Sequence, residues 1–554
     1  MENKNTPLSE VEQIKLKSNY LRGTIKESLI DELTGAIAPD DTQLIKFHGT
    51  YQQTDRDLES ERKKQKLEPL FSFMIRVRMP GGIATPGQWQ VMDDLADKYG
   101  SGTLKLTTRQ TFQLHGVLKR NLKKTIAGIN ESLFDTIAAC GDVNRNVMCN
   151  PNPDLSFAHR TITEDARAVG SHLLPKTTAY HEIWLEKKLV AGGQEDEEPV
   201  YGKSYLPRKF KIAFAVPPNN DVDVLTNDLG FIAIVENSEV TGYNISVGGG
   251  MGMTFGNKAT YPRLANIIGY VSREKFIEVA EQVVKIQRDN GNRQDRKNAR
   301  LKYTIDRMGL DQFKKELIRR LAWEPEPVKP FEFTSNGDEF GWRKTMDNLW
   351  NLTLFIEGGR VLDKSDYKLK TALRKISSVH KGEFRLTGNQ NLVIAGVAAS
   401  DKKLIGSILN DHGIKPGTDH TGLRLNSIAC VALNTCPLAF ADAERYLPSL
   451  IDKLDVIIRR LGLEKEAITI RMTGCPNGCG RPYNAEIGFV GRAKGIYNLY
   501  LGGGFEGNRL NTLYKEMLNE QQILETLDPI LTDYASQRKQ GEHFGDFVHR
   551  KGIV

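Results

Sequence analysis

No apolar run approaches the roughly 20 residues that a membrane-spanning helix needs; long runs such as Ile212-Ala213-Phe214-Ala215-Val216 are strand-sized. Nothing after Met1-Glu2-Asn3-Lys4-Asn5 reads as an export signal, so a cytoplasmic chain with reduced thiols is expected. Cysteine is scarce, 6 in 554 residues, which excludes a disulfide scaffold. Low-complexity tracts are absent, and 39 % hydrophobic content suits several ordinary globular cores. Lysine and arginine outnumber acidic residues by 76 to 69, but they are dispersed. With no compact basic block interleaved with aromatics, nucleic-acid binding is not expected, and the net charge of +7 fits an anionic ligand better. The Gly triplets 248–250 and 502–504 lack the Gly-Lys-Ser/Thr ending of a P-loop, and no strand-to-helix Gly-x-Gly-x-x-Gly occurs. The chain therefore has no nucleotide or flavin signature of its own.

What cysteine there is lies together. Cys430-x5-Cys436 and Cys475-Pro476-Asn477-Gly478-Cys479 form two tight pairs. Glycine and proline around the second pair rule out a helix and let the backbone wrap closely round a bound group. Structural zinc favours Cys-x2–4-Cys, which the second pair satisfies and the first does not; iron–sulfur clusters accept more varied spacing, so a 4Fe–4S cluster leads and zinc stays open. Cys140 and Cys149 read as buried small hydrophobes.

The chain also repeats itself. Residues 102–110 return at 382–390, and each copy runs into an alternating strand ending in Gly-Val. Residues 242–250 return at 496–504, and Arg78-Met79-Pro80-Gly81-Gly82 is echoed by Ile356-Glu357-Gly358-Gly359-Arg360. Units recurring in one order imply a duplicated two-part module, hence a pseudo-twofold protein with a shared central site. Strand and helix patterns alternate in both halves, giving an α+β class with α/β-type mixed sheets. The boundaries expected are a polar arm over 1–70, half-domains over 71–137 and 340–415, and larger units over 138–339 and 416–554. The charge run 55–64 reads as a solvated arm, and a helix is expected from Phe276 to Asn290-Gly291.

Cations sit where the copies diverge. Alternation in Phe73-Met74-Ile75-Arg76-Val77-Arg78 puts Arg76 and Arg78 on one strand face, and Lys209 and Lys211 likewise face away from Phe210 and Ile212. Such side chains are ordinarily solvated. Their recurrence at matching places in a duplicated module points instead to one anion-binding site. Lys209-Phe210-Lys211 precedes the first Gly triplet much as the Cys475/Cys479 loop precedes the second, so one half carries cations and the other thiolates.

Taken together, Thr-x-Arg-Gln-Thr-Phe-Gln-x-His (107–115), Asn-Arg-Asn-Val (144–147), Leu-Pro-Arg-Lys-Phe-Lys (206–211), Cys-x5-Cys and Thr-Gly-Cys-Pro-Asn-Gly-Cys-Gly (473–480) resemble the sulfite and nitrite reductases. Residues 47–57, 65–69 and 545–547 resemble the NADPH-linked assimilatory sulfite reductase branch. The resemblance implies a three-domain haemoprotein with sirohaem coupled to a 4Fe–4S cluster, the six-electron reduction of sulfite to sulfide, and a separate NADPH-oxidising flavoprotein as electron donor. It implies that Cys430, Cys436, Cys475 and Cys479 hold the cluster, and that Cys479 is also axial ligand to sirohaem iron. Arg76, Arg145, Lys209 and Lys211 match its anion-binding positions. Thr107, Thr108, Arg109, Gln113, His115, Arg300, Lys302, Asn477 and Arg481 match positions near the macrocycle. A ferredoxin-dependent sulfite or nitrite reductase would share most of these residues, and the cysteines alone would suit a non-catalytic zinc or iron–sulfur interaction protein.

Overall fold

The computed structural model describes residues 7–176, 182–185, 188–192, 197–415 and 419–554; the Met1–Asn5 stretch lies outside them. Two five-stranded sheets share one core. The first runs Thr50–Thr54, Phe71–Arg76, Phe112–Val117, Leu104–Leu106, Arg360–Val361; the second runs Gly341–Lys344, Trp350–Leu354, Leu392–Val397, Glu383–Leu386, Ile83–Ala84. Each therefore ends on a two-residue strand donated by the other copy, Arg360–Val361 pairing with Leu104–Leu106 and Ile83–Ala84 with Glu383–Leu386. Helices Pro86–Tyr99 and Leu369–Val379 bury apolar faces in the same core, where Trp89 stacks on Phe384 with ring centroids 4.7 Å apart. Thr85 caps the first of these helices in a capping box with Gln88, and Pro86 follows at its first turn, where a missing N–H costs nothing.

Strand exchange explains the paired glycines. Gly82 and Gly359 have φ of +71° and +68°, and each abuts the other copy. A Cβ on Gly82 would sit 2.7 Å from the Leu386 carbonyl oxygen; one on Gly359 would strike that of Leu106. Gly82→Ala is expected to destabilise the protein by about 2–4 kcal/mol, left-handed strain adding to overpacking, read as a lower denaturant midpoint.

The second modules also match. Ile212–Ala215 lies parallel to Leu229–Glu236, which pairs antiparallel with Glu239–Val247 and through it Asn266–Ser272. In the other copy Ile470–Thr473 lies parallel to Ile487–Ala493, followed by Ile496–Leu501 and Thr512–Leu518, with Ser427–Ala429 on the far edge. After the parallel strand each copy turns through a left-handed residue, Asp223 (φ 46°) or Arg481 (φ 58°). These two meet: Arg481 pairs with Asp223 at 2.5 Å, and Arg471 joins at 2.7 Å. The helix Phe276–Asn290 forms as its spacing predicts. The whole is a mixed α+β, internally duplicated fold.

Three expectations need correction. The lysines and the cysteine loop are not counterparts: Lys209 and Lys211 precede the strand Ile212–Ala215, whereas Cys475–Cys479 follows Ile470–Thr473. Both precede a Gly triplet, which hid the difference. Arg78 does not join Arg76, because the strand ends at Arg76 and the Arg78 backbone bridges to Asp135 instead. The Arg78 guanidinium instead donates to the carbonyls of Asn144 (3.2 Å) and Gly170 in the interior. Nor is 1–70 a detached arm. Thr50–Thr54 is an edge strand of the first sheet, and the Lys15 ammonium on helix Glu10–Lys17 is buried beside Glu12 and Asp142. Of the charge run, helix Glu59–Lys64 buries nothing. The residues before it are tethered instead: half-buried Arg56 donates to the Ala439 carbonyl (2.5 Å), half-buried Asp55 accepts from Asn434 (2.8 Å) and exposed Asp57 pairs with Arg445 (2.5 Å). Charges that seem solvated in sequence are here satisfying the loop that carries Cys436.

Candidate functional site

Between the copies lies a cavity of about 380 Å³ with thiols on one wall and cations on another. The first sheet builds its floor. Arg76 and Lys105 both face Gln113 in register across adjacent strands, and period two puts His115 on the same face while Phe112 and Leu114 enter the core. Thr107 and Thr108 extend this floor, and the Thr108 hydroxyl donates to the Cys479 carbonyl at 3.1 Å. Turned to satisfy its neighbours, the Gln113 amide oxygen accepts from Arg76 Nε at 3.2 Å.

The cationic wall comes from Arg76, Arg145, Lys209, Arg208 and Arg296. At Lys209 and Arg208, crowding by neighbouring cations adds to burial in disfavouring charge. Burial first, then the Arg208 guanidinium, lowers Lys209 to about 7. Lys211 does not line the cavity but stands behind it. Burial, then Lys209, Arg109 and Arg300, pull its pKa well below the ordinary range, and Cys479 works in the opposite sense. Burial, then Arg360, likewise holds His115 neutral by pushing its pKa well down.

The thiol wall comes from Cys430, Cys436, Cys475 and Cys479. Cys475 is buried, Cys430 and Cys436 are half-buried, and Cys479 is exposed. Backbone and side-chain N–H groups approach the sulfurs: Gly474 N donates to Cys430 at 3.4 Å and Asn477 Nδ2 to Cys475 at 3.5 Å. Burial and then the neighbouring Cys479 raise Cys475 to about 12 and Cys430 well above its usual value. Among the described residues no three His, Cys, Asp or Glu side chains converge tightly enough for one bare ion. Two residues of the cavity wall, Thr473 and His115, each keep a buried polar atom without a hydrogen-bond partner, Oγ1 and Nδ1.

Four expected macrocycle contacts stand off the wall. Arg300 is paired with Asp228 (2.7 Å), and the Lys302 ammonium donates to the carbonyls of Gly252 (2.7 Å), Gly250 and Tyr261. Arg109 donates to Asn227 Oδ1 (2.6 Å), and Arg481 to the Gly388 carbonyl (2.9 Å). They brace the turns behind the site. Sequence reasoning missed Lys105, Arg208, Arg296, Lys46, Tyr51 and Gln390, all on the cavity wall. Signals existed: Arg208 lies inside the 206–211 motif, Arg296 in the basic stretch after Gly291, and Lys105 alternates with Thr107. Tyr51 and Lys46 were hidden by the reading of 1–70 as an arm.

The sequence profile described as "Nitrite and sulphite reductase 4Fe-4S domain" matches residues 164–325 and 423–554, and "Nitrite/Sulfite reductase ferredoxin-like half domain" matches 66–132 and 343–412. The chain belongs to the nitrite and sulphite reductase family. The two profiles each match twice, as the duplicated fold does. Among this family's members, "Sulfite reductase [NADPH] hemoprotein beta-component" of Staphylococcus haemolyticus (strain JCSC1435) is 59 % identical over 547 residues, covering 99 % of this chain and 96 % of that one. The protein of the same description from Oceanobacillus iheyensis (strain DSM 14371 / CIP 107618 / JCM 11309 / KCTC 3954 / HTE831) is 58 % identical over 550 residues, covering 99 % and 95 %. The solved structure of Mycobacterium tuberculosis NirA protein superposes with a TM-score of 0.78 at 22 % identity, over 98 % of this chain and 96 % of that chain, and so shares the fold. Among the described residues no helix is long and apolar enough to cross a membrane.

Proposed function

We propose that this chain is the haemoprotein component of an NADPH-linked sulfite reductase, an oxidoreductase that takes sulfite to sulfide with six electrons. The observation that carries it is the single cavity in which an exposed Cys479, on a wall of four thiols, faces Arg76, Arg145 and Lys209. The cofactors are sirohaem and a 4Fe–4S cluster, which when bound supply electron storage and delivery at iron. Cys430, Cys436, Cys475 and Cys479 would hold the cluster, and Cys479, the thiol open to the cavity, would also reach sirohaem iron. Thr107, Thr108, Gln113, His115 and Asn477 would contact the macrocycle, with Arg109, Arg300, Lys302 and Arg481 fixing the turns around it.

The remaining chemistry falls to the cations. Sulfite is a small dianion, and guanidinium and ammonium groups hold its oxygens by charge-assisted hydrogen bonds. Three oxygens must leave as water, so protons are needed repeatedly. Lysines whose ammonium is destabilised by burial and by neighbouring cations, as Lys209 is, give protons up readily at neutral pH. Electrons come from a partner, since the chain has no nicotinamide or flavin motif; an NADPH-oxidising flavoprotein fills that role, in the cytoplasm.

Purified protein is expected to contain about five irons per chain, one haem plus one 4Fe–4S cluster, with acid-labile sulfide and an isobacteriochlorin-type spectrum. It should reduce sulfite with an artificial reductant and use NADPH only when the flavoprotein is added. Colourless, zinc-containing protein from cells able to make sirohaem would sink this reading.

A further inference from the structure

Three consecutive residues each hold one cation of the cavity wall. The buried Cys140 Sγ accepts from Arg76 Nη1 at 3.2 Å, the Gly141 carbonyl accepts from Arg145 Nε at 2.9 Å, and the Asp142 carboxylate takes Arg296 in a two-pronged pair at 2.7 and 2.9 Å. The turn that lines them up is itself fixed. Gly141 has φ +85°, a Cβ there would meet the Phe47 ring at 2.9 Å, Ala138 N donates to the Phe47 carbonyl at 2.8 Å, and Leu206 N donates to the Asp142 carbonyl at 3.0 Å.

We propose that the Cys140-Gly141-Asp142 turn is the positioning element of the anion site, and that the Cys140 thiol is a positioning residue for Arg76 rather than a filler of the core. This rests on the sulfite reading given above. Gln113 takes Nε and one N–H of Nη2 on one edge of the guanidinium, and Cys140 takes one N–H of Nη1. Of the five N–H bonds, two remain, one on each terminal nitrogen, to meet an oxyanion. Without the sulfur acceptor, the guanidinium is held on its Gln113 edge only and can swing about it. A sulfur accepts weakly, so the effect is on aim and affinity rather than on folding.

The test compares parent, Cys140→Ala and Cys140→Ser holoenzymes. Removing the acceptor is expected to raise the KM for sulfite, and the sulfite dissociation constant read from the haem band, by about 3- to 10-fold, the size of one hydrogen bond. The kcat should change less than about twofold, and serine, which restores an acceptor, should recover most of the loss. Carbon monoxide, an uncharged iron ligand, should bind all three proteins alike. If alanine impairs cofactor loading, Cys140→Val removes the acceptor while filling the space, and the same shift is expected. Unchanged sulfite constants in Cys140→Ala, or equal losses for sulfite and carbon monoxide, would overturn the assignment. A fully loaded parent that binds no sulfite would instead overturn the sulfite reading on which the assignment rests.

Discussion

Replacing Lys211 by methionine is expected to lower sulfite turnover by about 10²- to 10³-fold while the visible spectrum, iron and acid-labile sulfide stay those of the parent. Methionine keeps most of the length and removes the charge. Lys211 lies within the field of Lys209, Arg109 and Arg300, which with burial destabilise its ammonium, and of the Cys479 sulfur, which favours it, so its amine can take up and release a proton between the anion and thiol sides of the site. A group binding substrate and transition state equally would change KM alone; one that acts as charge and protons move changes kcat. Full turnover would remove Lys211 from the mechanism. The same crowding has a pH consequence. With Lys209 lowered to about 7, its ammonium is present below that pH and lost above it, so sulfite affinity should weaken as pH rises through about 7. Lys209→Arg, whose guanidinium stays charged, should flatten that limb of the KM–pH profile. An unchanged limb would assign it to another group.

Much of this arrangement was legible in the residues, and the exceptions share a cause. The repeat of 102–110 at 382–390 identified the two sheets, because a tight turn with left-handed Gln110 (φ 52°) and Gln390 (φ 71°) constrains local sequence strongly. That each sheet is completed by a strand of the other copy was invisible, since two-residue strands such as Ile83–Ala84 leave no periodicity. The alternation that puts Arg76 on the cavity wall fails at Arg78, because the strand ends at Arg76 and the chain bridges to Asp135 two residues later. The four cysteines announced themselves by spacing. Lys46 and Tyr51 did not, for a polar segment has one composition whether it faces solvent or a polar cavity. Arg109, Arg300, Lys302 and Arg481 matched by motif, yet their partners are carbonyls, amides, Asp223 and Asp228, groups that only the folded backbone brings within reach.

Cys479→Ala is expected to have the most severe effect, a chain that purifies with no haem band and with most acid-labile sulfide lost. The other three thiols can at best be cluster ligands, being buried or half-buried, whereas Cys479 is exposed to the space a macrocycle would fill. Its peptide is also held from both copies. Thr108 donates to its carbonyl across the copy boundary, Arg481 N donates to the Gly478 carbonyl, and a Cβ on Gly478 would lie 3.0 Å from the Met251 carbonyl oxygen. Both copies therefore hold the backbone that carries this sulfur. Cys436→Ala would remove one of the four proposed cluster thiols, from a loop held by Arg56 and Asp55, and should cost cluster content while leaving the cavity around the haem position formed. Comparing the two separates the roles: if Cys479→Ala kept a normal haem band while Cys436→Ala lost it, the shared thiolate would lie elsewhere. Thr108→Val offers the milder control, removing one hydrogen bond at the Cys479 carbonyl and lowering haem occupancy without abolishing it. If Cys479 is the thiolate shared between the two cofactors, it must be fixed from both sides, and Thr108 and Arg481, one from each copy of the duplicated module, would supply that fixation.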